Sequence, residues 1–178
     1  MQNQVLDFWF KAGSPKWFNK DPEFDQEIAE RFGKVLKQAA AAEFYSWRTT
    51  AIGRLAEIIV LDQFSRNVYR DTPAAFAQDA MALVLAQEAV AACALQELSS
   101  LDERQLLLMP YMHSESKLIH VQAEQLFKQY TNEQTYGFEI RHKVIVDRFG
   151  RYPHRNKILG RNSSAEEIEF LTQPNSSF

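Results

Sequence analysis

The spacing of apolar residues constrains the fold of this chain more than any other feature. From Pro22 to about Ala42, residues Phe24, Ile28, Phe32, Val35, Leu36 and Ala39 fall at three- and four-residue steps, which aligns them along one face of an α-helix. The remaining apolar runs are long and rich in Leu and Ala, and none alternates with period two between turn signals. Residues 5–10 (VLDFWF) have strand-like composition. No second strand exists to pair with them, so they are read as a short helix. The expected fold class is all-α.

Capping signals divide the chain. Ser14-Pro15, Asp21-Pro22 and Thr72-Pro73 each set a capping side chain before a proline, as at a helix start. Thr50 is placed to cap a helix whose residues 55–61 are apolar on nearly all sides, the pattern of a central, buried helix. An Ala-rich helix is expected from about Pro73 to Glu97. Ser100-x-x-Glu103 is a capping box for a short helix that Pro110 should end or kink. Ser114 or Ser116 can cap the next, to about Tyr130. Another is expected from about Gln134 to Phe149, with Gly150 at its C′ position. Overlapping boxes at Ser163-x-x-Glu166 and Ser164-x-x-Glu167 open a last short helix, and the tail from about residue 173 is expected to fray. About eight antiparallel helices with short links suggest an α-hairpin array or irregular bundle. No 34-residue self-similarity is visible, and 178 residues without a low-complexity linker suggest one domain.

Composition narrows the function classes. The single cysteine, Cys93, lies in an Ala-rich run and is expected to be a small buried apolar residue rather than a reactive thiol. One cysteine forms no internal disulfide, which fits a reducing compartment. No apolar run approaches a bilayer span, and the first residues lack the basic region of a secretory signal. A cytoplasmic protein with no membrane partner is expected. Net charge is −3, yet residues 148–161 hold four Arg, one Lys, one His and no acid. Without those five cations, 15 basic residues face 23 acidic ones. Extended nucleic-acid binding needs a broad basic face, so no nucleic acid is expected. A small anionic ligand, needing two or three cationic contacts, is compatible.

Three polar stretches break the helical pattern. In residues 62–70, Asp62, Arg66 and Arg70 are four apart and share a face if the helix continues, with Gln63 and Asn67 in the adjacent row. A local ion pair accounts for Asp62 and Arg66 alone. Five polar residues directly after a buried run must satisfy one another or a ligand if they face inward. In residues 110–115, the break at Pro110 lifts His113, Ser114 and Glu115 onto a turn beside Tyr111. Ser114 is accounted for as a cap, and without a Gly-x-Ser-x-Gly elbow it is not read as a nucleophile. His113 has no such local role. In residues 148–161, Arg148 and Arg151 can serve a helix C-terminus, whereas Tyr152, His154, Arg155 and Asn156 are harder to assign to structure. Arg155 can clamp a carboxylate or phosphate by two parallel hydrogen bonds, while Lys157 acts as a point charge. His113, His120, His142 and His154 show no metal-ligand spacing, so no metal or cofactor is assigned.

These motifs, with Leu-Asp-Phe-Trp-Phe at 6–10, Trp17-Phe18, Arg54-Leu-Ala-Glu57 and Leu159-Gly-Arg161, resemble the bacterial family of unknown function numbered 924 across nearly the whole chain. The resemblance implies an all-α fold similar to tetratricopeptide-repeat (TPR-like) proteins, with no established activity and hence no catalytic residues to carry over. The leading reading is a pocket for a small anionic ligand. Arg66, Arg70, Arg151 and Arg155 would supply charge, Asn67, Tyr111, His113 and Asn156 would orient the ligand, and Asp62 and Glu115 would complete the site. His113 or His154 is the best general acid–base should chemistry follow. One alternative is a TPR-like groove for a peptide or protein partner. The other is a purely structural role for the polar motifs.

Overall fold

The cap-and-stripe pattern folds as expected into the longest helix. Asp21 accepts from the Phe24 amide to start it, and Phe24, Ile28, Phe32, Val35, Leu36 and Ala39 are all buried along it. The computed structural model describes residues 1–177, and no strand occurs among them. The architecture is all-α. In order the helices are α1 (Gln2–Ala12), α2 (Ser14–Trp17), α3 (Pro22–Ala40), α4 (Ala51–Ile59), α5 (Ser65–Val68), α6 (Asp79–Ala91), α7 (Ala94–Glu97), α8 (Leu101–Met112), α9 (Lys117–Tyr130), α10 (Glu133–Phe149) and α11 (Ala165–Leu171).

A π-helical turn, Val60–Phe64, joins α4 to α5 and makes one continuous central helix. Leu55, Ile58, Ile59, Leu61 and Phe64 on it are wholly buried. Around it α1, α3, α6 and α8 bury their apolar faces, and Phe8, Trp9, Phe24, Phe32 and Phe64 form a cluster of rings 5.0 to 6.3 Å apart. Thr50 caps α4 through the Gly53 amide. Gly53 is required there, since a Cβ would fall 2.0 Å from the Trp47 carbonyl oxygen. α9 packs against both α8 and α10. Gly150 ends α10 in the left-handed region at φ 71°, and Ser164 and Glu167 form a capping box for α11.

Several expectations are corrected. The apolar run 55–61 contains Glu57, which is fully buried and bound by Arg48 through bonds of 2.7 and 2.8 Å. The Ala-rich helix is broken: Thr72-Pro73 opens a 3₁₀ turn, α6 begins only at Asp79, and a left-handed Cys93 separates α6 from α7. Cys93 is exposed, because it sits in the left-handed turn between α6 and α7 and not on a packed helix face. Pro110 does not end α8. It sits in the last turn, and the chain leaves the helix at His113, so only one late ladder bond is forfeited. In the tail, Ser176 is buried and its hydroxyl donates to the Leu171 carbonyl. No helix among the described residues is long and apolar enough to cross a membrane.

Candidate functional site

Where the buried helix turns polar, a cavity of about 430 Å³ opens. Its wall draws on all three polar stretches: Gln63, Arg66, Asn67 and Arg70 from the central helix, Met112 and His113 from the end of α8, and Tyr152, His154, Arg155 and Ile158 from the loop after α10. Trp17, Phe18, Asp71, Phe76, Phe138 and His142 are among the other residues that line it. Trp17 stacks on Trp9 of the aromatic core at 5.8 Å and donates to the Trp9 carbonyl, so one side of the cavity is anchored directly in the core.

The central helix supplies the floor. Asp62 is wholly buried. Its Oδ1 lies 2.7 Å from His113 Nδ1 and 3.0 Å from Arg66 Nη1. Burial opposes ionisation of Asp62, but Arg66 and His113 outweigh it and hold the carboxyl at about 2. Burial, reinforced by Arg66, pushes His113 below the usual histidine range despite Asp62. The imidazole is therefore neutral near pH 7. Asp62 is ionised and only accepts, so His113 Nδ1 carries the proton. Arg70 does not share the Asp62 face. α5 stops at Val68, and beyond it Arg70 turns to bind Asp25 of α3 at 2.5 and 2.8 Å, with Asn67 donating to the same carboxylate.

Arg66 reaches past Asp62 to Asp79 at the start of α6, and Arg155 reaches the same Asp79 at 3.3 Å. Arg155 is 6% exposed and lies 4.7 Å from the ring centres of both Phe76 and Tyr152. Its Nε has no hydrogen-bond partner among the described residues. Burial and the neighbouring Arg66 both lower its proton affinity. Asp25, Asp62 and Asp79 stand behind the arginines rather than on the cavity surface, so Arg66, Arg70 and Arg155 present N–H donors to a wall whose carboxylate among the described residues is Asp71, itself paired with Lys20.

The hinge is held by a second polar cluster outside the cavity. Glu115 accepts from the Tyr152 amide at 2.8 Å and from both terminal nitrogens of Arg161. Arg151 is bound to Glu167, and Asn156 links Arg161 to Ser163. The Tyr152 hydroxyl donates to the Met112 carbonyl at 2.6 Å and lies 3.1 Å from His120, which is fully buried against Glu139. Burial pushes the Tyr152 phenol far up and the Glu139 carboxyl up, while His142 and His154 are pushed down to about 3 and about 4, mainly by burial.

Of the expected site residues, Arg66, Asn67, Arg70, His113 and Arg155 line the cavity together with His154. Five do not. Asp62 sits behind His113, Tyr111 faces the core at 3% exposure, and Glu115, Arg151 and Asn156 brace the hinge. The reason is helical geometry: Tyr111 and His113 are two residues apart and point to different sides. Asp79 and Phe76 give no signal in the sequence, since both fall inside the Ala-rich run expected to form one helix from about Pro73, and only the late start of α6 sets Asp79 at a helix terminus. Among the described residues no three His, Cys, Asp or Glu are gathered as metal ligands.

No curated protein matches this chain. A solved structure of a protein of unknown function from Agrobacterium tumefaciens is similar at 36% identity over 96% of each chain, with a TM-score of 0.91. Residues 5–175 match a family described as bacterial protein of unknown function (DUF924). The cavity and its supporting hinge thus belong to a chain that is a member of the bacterial DUF924 family.

Proposed function

We propose that the cavity binds a small organic anion, a carboxylate or phosphate ester carrying a ring or apolar chain. The observation that carries this is Arg155: a buried guanidinium on the cavity wall, 4.7 Å from the ring centres of both Phe76 and Tyr152, with no carboxylate of its own. Burying a cation is costly unless it is paired and hydrogen-bonded, and its one carboxylate, Asp79, is shared with Arg66. An anion entering the cavity completes that set. A volume of about 430 Å³ falls in the range of small-molecule sites, and the aromatic wall offers contact area to an apolar body.

The test is thermal denaturation and calorimetry with 3-phenylpropionate and phenyl phosphate, using benzyl alcohol as the neutral control. At about 100 Kd a ligand stabilises by about 2.7 kcal/mol, which raises Tm by roughly 5–10 °C at this chain length. Arg155→Met keeps the bulk and removes the charge, and should abolish the shift. Equal shifts in Arg155→Met, or with benzyl alcohol, would sink the reading.

A further inference from the structure

The Asp62 and His113 pair has a feature that binding alone does not use. With its proton on Nδ1 and donated to Asp62, the His113 ring carries a lone pair on Nε2. None of the described residues hydrogen-bonds to Nε2, and His113 lines the cavity. The guanidinium of Arg66 shares the Asp62 oxygen that His113 binds. A base oriented by a buried carboxylate therefore stands beside cationic donors in one small cavity. Geometry of this kind suits proton transfer.

We infer that His113 is a catalytic base and that the cavity hydrolyses small esters bearing an anionic group. This rests on the anion-binding reading above. As a water molecule gives its proton to His113 Nε2, its oxygen bonds to the ester carbonyl carbon, and the carbonyl π pair moves onto oxygen. The arginine donors stabilise that oxyanion. When the carbonyl re-forms, the bond to the alcohol oxygen breaks and the alkoxide takes the proton back from Nε2. Ester and water become acid and alcohol, and one imidazole serves both transfers. Hydrolysis suits the site because it needs a single group that takes a proton and returns it, which the Asp62-oriented imidazole of His113 on the cavity wall can do alone. Facing His113 are Asp62 and Arg66 from the central helix, Asp79 from α6, and His142 and His154 from α10 and the hinge.

The test uses the full chain with mono-(4-nitrophenyl) glutarate, read by nitrophenolate release, beside neutral 4-nitrophenyl butyrate. Calorimetric binding of 3-phenylpropionate is measured in parallel. Turnover above the spontaneous rate is expected, with kcat/KM favouring the anionic ester by about tenfold, the worth of one charge-assisted hydrogen bond. His113→Gln retains an N–H for Asp62 but supplies no base. It should lower kcat by about 100-fold or more with KM within about threefold, and still bind 3-phenylpropionate. The wild-type kcat/KM should be flat at and above neutrality and fall in acid as His113 is protonated, a limb absent from His113→Gln. Binding of 3-phenylpropionate without turnover would overturn the catalytic inference alone. Absence of both in folded protein would remove the anion reading as well. Unchanged kcat in His113→Gln would overturn the role of His113.

Discussion

His142 and His154 are the residues whose burial has the clearest thermodynamic consequence. Each is held well below its ordinary value, at about 3 and about 4, whereas in the unfolded chain each titrates near about 6.5. As pH falls from about 6.5 to about 4, the unfolded state takes up protons that the native state refuses, so stability declines with falling pH. The loss by pH 4.5 is on the order of several kcal/mol. Asp62 adds to it only below about 4, because its carboxylate is stabilised in the fold and that stabilisation disappears as it protonates toward about 2. Urea denaturation should show a lower midpoint at pH 5 than at pH 7, and His142→Phe should flatten the decline. A midpoint constant over that range would contradict neutral burial of these rings.

At the scale of elements, the central helix both closes the core and builds the cavity floor. Its apolar run and Thr50 cap were legible in the sequence, and so was the abrupt change to polar residues at Asp62. The π turn at Val60–Phe64 was not, because it leaves no mark in residue spacing. Nor was the stop at Val68, which directs Arg70 to Asp25. The start of this helix is equally constrained. Gly53→Ala places a methyl 2.0 Å from the Trp47 carbonyl oxygen and 2.8 Å from Gln2 Oε1. Backbone must shift to relieve that contact, and a loss of about 3 kcal/mol or more is expected in chemical denaturation. A change under about 0.5 kcal/mol, the level of an ordinary surface substitution, would show that the helix start accepts a methyl group without strain.

Over the whole molecule, the cavity exists because the loop after α10 is carried back across the end of α8. Glu115, though off the cavity wall, fixes that placement by accepting from the Tyr152 amide and from Arg161. Glu115→Ala replaces no lining residue, yet should weaken 3-phenylpropionate binding by about tenfold, roughly 1.4 kcal/mol, by freeing Tyr152 and Arg155 to move. Calorimetry giving wild-type affinity would show that the hinge is positioned without it. The sequence by itself determined the helical class, the buried stripes, most caps and the three polar stretches, because each is a local consequence of spacing and side-chain chemistry. Only the tertiary structure decided which polar residues meet. Asp79 joins Arg66 to Arg155, Asp62 orients His113, and Tyr111 turns to the core. Such pairings link residues 13 to 76 positions apart and depend on how helices pack, which no local pattern records.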